Sequence, residues 1–169
     1  MKKLTTPALL ALCLAFAAAL RSAPVPPTPM PAWKLTDING KVLSSDQFKG
    51  KVVVLDFWAT WCTPCRSEIP GYVELEKKYG ADGLVIIGVS KDESGPRRAE
   101  AVKRFIASYG INYPIVMATD DLETALGGIE AIPTTFIIDR AGNIRDKKVG
   151  AVPTEQYEKE ILSVLKPSA

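Results

Sequence analysis

Beyond the first twenty residues, two nearly unbroken apolar runs stand out in a chain that otherwise mixes apolar and polar positions: 51–58 (K-V-V-V-L-D-F-W) and 84–90 (L-V-I-I-G-V-S). Both are short and rich in β-branched residues, and neither alternates as a half-exposed strand would. They are predicted to be central strands buried on both faces. Between them, the stretch from Cys62 to about Tyr79 reads as a helix, with Pro70 expected to kink it. Residues 97–109 place Val102, Phe105 and Ile106 on one helical face. Residues 115–117 are a brief strand, and 120–126 a short helix capped near Thr119 and stopped by Gly127-Gly128. Residues 134–139 and 144–149 form a hairpin around Ala141-Gly142-Asn143, and 154–165 a last helix with Thr154 as its cap. Near the start, 33–35 and 41–43 are strand candidates joined through Asn39-Gly40, followed by a helical turn from Ser44 or Ser45 to Phe48. Strands alternating with helices, then a hairpin and a helix, predict an α/β fold with a central mixed sheet and helices on both faces. Tyr72, Tyr79 and Phe105 read as core or helix-face residues.

The first residues carry a different pattern. Met1-Lys2-Lys3 is a basic start, and residues 8–20 are apolar and uncharged. That run fits the apolar region of a secretory signal and falls short of the roughly 20 residues of a comfortable transmembrane helix. Residues 1–23 are therefore read as a signal peptide, with an uncleaved anchor as the alternative. Cys13 lies inside the run and follows Leu12 rather than a small residue, which favours a discarded signal cysteine over a lipidated one. Residues 24–31 form a proline-rich linker, either an extended spacer or an unstructured leader. The folded domain is expected over 32–166.

Charge follows from this division. The chain has 21 basic and 19 acidic side chains; without Lys2, Lys3 and Arg21, 18 basic and 19 acidic remain, a net charge of −1. No basic surface for nucleic acid is indicated. The 169-residue chain, 47% hydrophobic and 24% charged, can bury a core without disulfide staples. It has no histidine, which excludes Ser-His-Asp and Cys-His catalysis, histidine metal ligation and haem attachment through Cys-x-x-Cys-His. Two or three thiolates cannot close a zinc site alone, so no metal is expected. Export implies a disulfide-permissive compartment. The mature chain would keep two cysteines, Cys62 and Cys65.

The chemistry concentrates at F-W-A-T-W-C-T-P-C, residues 57–65. Cysteines three apart in a first helical turn point the same way and can bridge. Cys62, at the helix N-terminus, has unpaired N–H groups and the helix dipole to favour its thiolate. Pro64 lacks an N–H that an early helical position does not miss. Cys62 would attack a partner disulfide, and the more buried Cys65 would resolve the mixed disulfide. A structural disulfide is the competing reading, but so small a loop constrains the unfolded chain little. A zinc half-site is another, and it lacks a second pair. Asp56, an acid in an otherwise apolar strand, would be costly to bury and should have a raised pKa. The alternative places it at an exposed strand end.

The strand V-V-V-L-D-F-W-A followed by T-W-C-T-P-C-R-S-E-I-P resembles the thioredoxin superfamily, and more narrowly its exported TlpA/ResA-like thiol–disulfide oxidoreductases. Residues 132–139, I-P-T-T-F-I-I-D, match the family's cis-proline segment, about 70 residues after the cysteines. The resemblance spans about 32–165. It implies a thioredoxin-like fold with an N-terminal β-hairpin and a short strand-helix insertion before the cis-proline. It further implies a cis peptide at Ile132-Pro133 beside the cysteines, flanking a groove for extended partner peptides, with Trp61, Thr63 and Pro64 as contact candidates. Asp56, six residues before Cys62, matches an acid that exchanges a proton with the second thiol. Glu68 falls in the C-x-P-C-x-x-E-x-P pattern and is expected to help organise the helix. Glu93 roughly matches an active-site glutamate of some members, although a solvated loop charge is the favoured reading. The resemblance implies protein disulfides of the cell envelope as substrates, including cysteines of apocytochrome c, and a membrane thiol carrier as electron donor. No bound cofactor is needed, because the electrons reside on the two sulfurs. Peroxiredoxins share the fold but rely on one peroxidatic cysteine, whereas this chain has a dithiol. A disulfide-introducing oxidase, or a binding module or chaperone that uses the groove without turnover, remains the alternative.

Overall fold

The computed structural model describes residues 27–93 and 95–166. The signal region with Cys13, and residues 24–26 of the proline-rich linker, lie outside the described residues.

The apolar run at 52–58 becomes β4 (Val52–Trp58), buried at every position. Its alternating side chains divide the core in two. Val52, Val54 and Trp58 face a helical layer made by α1 (Thr63–Tyr79), α2 (Pro96–Tyr109) and α4 (Thr154–Leu165), which contributes Ile69, Tyr72, Val102, Tyr157 and Ile161. Val53, Leu55 and Phe57 face Trp33, Leu35, Leu43, Leu122 and Leu126. Those residues belong to the β2 (Lys34–Thr36)–β3 (Val42–Ser44) hairpin, its surroundings and α3 (Asp120–Ala125). By this alternation Asp56 falls on the face covered by α1 and α4.

The remaining strands are β1 (Thr28–Pro29), β5 (Leu84–Ser90), β6 (Ile115–Met117), β7 (Thr134–Ile138) and β8 (Asn143–Val149). The sheet order is β1-β8-β7-β4-β5-β6. β4, β5 and β6 are parallel, β7 is antiparallel to β4, and β8 and β1 follow antiparallel. β6 and α3 are the strand-helix pair expected before the proline segment. Gly88 of β5 lies against Ile115 and the Trp58 indole, where an added Cβ would collide.

Two local expectations change. The domain does not begin at Ala32: Thr28 and Pro29 of the linker pair with Ile144 and Asn143 at the sheet edge. Proline is tolerated there because an edge strand does not need every N–H. Thr154 is the first helical residue of α4 rather than its cap, which is Pro153. Its side chain packs against the bare Cα of Gly71 in α1, where an added Cβ would collide with it. Among the described residues, no helix is long and apolar enough to cross a membrane.

Candidate active site

β4 ends at Trp58, and residues 59–62 carry the chain into α1. Cys62 occupies the N-cap position, and Pro64 sits in the first turn, where its missing N–H costs nothing. Cys62 and Cys65 are joined as a disulfide with Cα atoms 5.3 Å apart. The Cys65 N–H donates to Cys62 Sγ at 3.3 Å. In the reduced protein this donor and the helix N-terminus stabilise negative charge on Cys62. Both cysteines are buried, Cys65 more deeply.

On the other side of the pair, the Ile132–Pro133 peptide is cis. Cys62 Sγ lies 3.8 Å from the Ile132 carbonyl oxygen. Ile132 is partly exposed and packs against both core clusters. Thr134 begins β7 and donates its hydroxyl to the Ala131 carbonyl at 2.7 Å, bracing the turn. The two tryptophans separate cleanly. Trp58 is core, whereas Trp61 is 67% exposed beside the disulfide. Thr63 and Pro64 are exposed as well. The cysteines, the proline loop and Trp61 thus share one end of the sheet. Arg66, one residue past Cys65, donates from Nε to the Tyr109 hydroxyl at 2.7 Å and ties α2 to the start of α1.

Asp56 is fully buried, not at an exposed strand end. Across the β4–β7 ladder it pairs with Thr135, whose hydroxyl donates to Asp56 Oδ1 at 3.3 Å. Thr135 Oγ1 is also 3.1 Å from the hydroxyls of Tyr72 and Tyr157. A threonine hydroxyl has one proton and two lone pairs. With its proton on Asp56, Thr135 accepts from both tyrosines, so their two hydroxyls converge on Thr135 and through it on the carboxylate. Burial pushes the Asp56 carboxyl up from 3.8 to about 8; the nearby Glu68 charge adds to the rise, and the Thr135 hydrogen bond opposes it. Burial also raises both tyrosine hydroxyls, which therefore remain protonated donors.

Glu68 does more than organise α1. It is buried and accepts from the Val152 N–H at 2.9 Å, reaching the loop before α4. Its second oxygen, Oε2, has no hydrogen-bond partner among the described residues. Burial raises its pKa, against the Val152 hydrogen bond. Glu93 is an exposed loop residue paired with Arg98 at 3.3 Å.

Several contributors escaped the sequence reading. Thr135, Tyr72 and Tyr157 looked like ordinary strand and core residues. Asp92 lay in a charged loop with nothing to single it out, yet its side chain is buried beside Thr60. The one usable signal was Tyr157 at helical spacing with Ile161 and Leu165, which places its ring in the core and requires a partner for its hydroxyl. Among the described residues, no group of three or more Cys, Asp or Glu side chains converges to hold a metal ion. A cleft of about 270 Å³ between residues 29–33, 45–53 and 138–142 contains none of the site residues.

The sequence model of the AhpC/TSA family matches residues 26–147. The chain belongs to this family. It is 36% identical over 128 residues to the thiol-disulfide oxidoreductase ResA of Bacillus anthracis, covering 76% of this chain and 72% of that protein. ResA of Bacillus subtilis (strain 168) is 36% identical over 137 residues, 81% and 74% of the two chains. Among solved structures, a thiol:disulfide interchange protein of the thioredoxin family from Chlorobium tepidum TLS superposes with a TM-score of 0.77 at 36% identity, covering 85% of this chain and all of that one. StoA from Bacillus subtilis gives 0.64 at 27% identity, over 79% and 98%. The fold is thioredoxin-like, and the activity is that of a thiol–disulfide oxidoreductase.

Proposed function

We propose that the protein is exported and reduces disulfides of cell-envelope proteins through Cys62 and Cys65, the cysteines of apocytochrome c being one client class. The observation that carries this reading is the disulfide at the N-terminus of α1, with the Ile132 carbonyl beside Cys62 Sγ and a buried carboxyl, Asp56, in the strand that leads into it.

The Cys62 thiolate attacks one sulfur of the client disulfide. A Cys62–client disulfide forms, and the other client sulfur leaves as a thiolate that takes up a proton. Cys65 then gives its proton to Asp56, and its thiolate attacks Cys62 Sγ. The Cys62–Cys65 bond forms, and the first client sulfur leaves and is protonated. Two electrons pass from the dithiol to the client, the two client thiolates take their protons from water, and the Cys65 proton stays on Asp56. Ile132, Pro133, Thr63, Pro64 and the exposed Trp61 border the extended client segment. A membrane thiol carrier restores the dithiol. A disulfide state in which Asp56 holds a proton at neutral pH is the product this sequence requires, and the raised carboxyl supports it.

The test mixes reduced protein with a peptide carrying an intramolecular Cys-x-x-Cys disulfide. One protein disulfide is expected to form for each peptide dithiol released. If the peptide disulfide stays intact while oxidised protein converts the peptide dithiol to its disulfide, the direction is reversed.

A further inference from the structure

The loop between β4 and α1 faces a conflicting demand. It must leave the Trp61 indole exposed and, one residue later, hold Cys62 in register with the first turn of α1. An exposed indole gives the loop little packing, so something else must fix the backbone.

The fixing groups come from the end of β5. The β4–β5 ladder extends one step beyond its last paired residues, with the Lys91 N–H donating to the Trp58 carbonyl at 2.7 Å. Asp92 then turns its carboxylate toward the loop. Oδ2 accepts from the Thr60 N–H at 3.0 Å, and Oδ1 from the Thr60 hydroxyl at 2.6 Å. Oδ2 also accepts from the Ser90 hydroxyl at 2.8 Å, and Ser90 is wholly buried. A buried carboxylate is expensive unless its lone pairs are met, and charge-assisted bonds of this length are the strong kind. Two of the three donors belong to a residue 32 positions earlier, so the bonds do not serve a local turn alone. The shelf is braced in turn: Lys91 Nζ contacts both oxygens of Glu123 in α3 at 2.6 Å. From Thr60 the chain needs two residues to reach the nucleophile, and the Cys62 N–H donating to the Ala59 carbonyl at 3.1 Å closes that turn.

We propose that Asp92 is a positioning residue for the dithiol: by gripping Thr60 at both of its polar groups, it fixes the loop that presents Cys62 at the N-terminus of α1. The role rests on Cys62 as the attacking sulfur and holds for either direction of electron flow. Displacing a reacting group by about 1 Å can cost a hundredfold in rate. The effect of losing the grip is read on chemistry at Cys62, not on folding alone.

The experiment measures the second-order rate at which reduced full-length protein reacts with a small aromatic disulfide, well below the melting temperature of each variant. Asp92→Ala and Thr60→Val are expected to slow Cys62 by between about tenfold and a hundredfold. Asp92→Asn accepts the Thr60 N–H through its carbonyl and donates to the Thr60 hydroxyl through its amide, and it is expected to stay within about threefold of the parent. Thr60→Val removes a single hydroxyl, so it reports even if Asp92→Ala fails to fold. Unchanged rates in Thr60→Val and in folded Asp92→Ala would overturn the proposal, as would Asp92→Asn falling as far as Asp92→Ala. A parent protein that fails to react at Cys62 would instead count against the dithiol mechanism itself.

Discussion

Replacing Cys62 with serine is expected to abolish disulfide exchange, while replacing Cys65 with serine leaves the first step intact and stalls the second. The difference follows from position. Cys62 caps α1, accepts the Cys65 N–H and faces the Ile132 carbonyl at the open side of the site. Cys65 is 1% exposed and lies behind it. With serine at 65, the client sulfur remains joined to Cys62 because no second thiol reaches the bond. Non-reducing electrophoresis or intact mass should then show one client per protein, released by added reductant. With serine at 62, no adduct forms, since the buried Cys65 is not presented to a client. Adduct formation through Cys65 alone would assign the attacking role to the wrong sulfur.

Asp56→Asn should have two large effects that share one cause. The carboxyl is held near 8 by burial and by Glu68 on α1; it accepts from Thr135 on β7, whose hydroxyl meets those of Tyr72 on α1 and Tyr157 on α4. Tyr113, before β6, lies close enough to sense its charge. A folded pKa above the unfolded one means the native state binds the extra proton. Stability is then fully present below about pH 4 and falls as pH rises through about 8. At pH 7 ionisation in the unfolded chain favours unfolding by on the order of 4 kcal/mol, at 1.36 kcal/mol per unit. Asp56→Asn removes that penalty, so the oxidised variant should be more stable than the parent at pH 7 by an amount of that order, and the gain should vanish near pH 4. Denaturant titrations at the two pH values read it directly. The same variant should slow resolution of the mixed disulfide by about two orders of magnitude, the low end for a positioned base. Glu68→Gln should shift the Asp56 titration downward, because it removes a charge that raises it. A variant neither stabilised at pH 7 nor slowed would show that Asp56 is not held as a buried acid behind Cys65.

The features legible in the sequence were those written in local pattern. Apolar runs marked β4 and β5, cysteine spacing marked the start of α1, and the I-P-T-T segment marked the turn against it. The hidden features depend on register between distant strands. Asp56 meets Thr135 because β4 and β7 pair antiparallel in one particular register, which neither segment encodes alone. Tyr72 and Tyr157 satisfy helical periodicity with their rings, so their hydroxyls carry no separate signal. Asp92 sits in a charged loop where position, not residue type, sets it apart from Glu93. Burial decides between them: Asp92 turns inward to Thr60, while Glu93 pairs with Arg98 in solvent. Composition marks the linker as an extended spacer or an unstructured leader, and it does not reveal that Thr28 and Pro29 complete a sheet edge.

The most direct test of the reducing role is the midpoint potential of the Cys62–Cys65 couple, titrated in defined thiol buffers and followed by the fluorescence of Trp58 and Trp61. Cys-x-x-Cys proteins span about −270 to −120 mV. A reductant of envelope disulfides should titrate near the thioredoxin end, at about −250 mV or lower. A midpoint near −120 mV would contradict the account and make the protein a donor of disulfides.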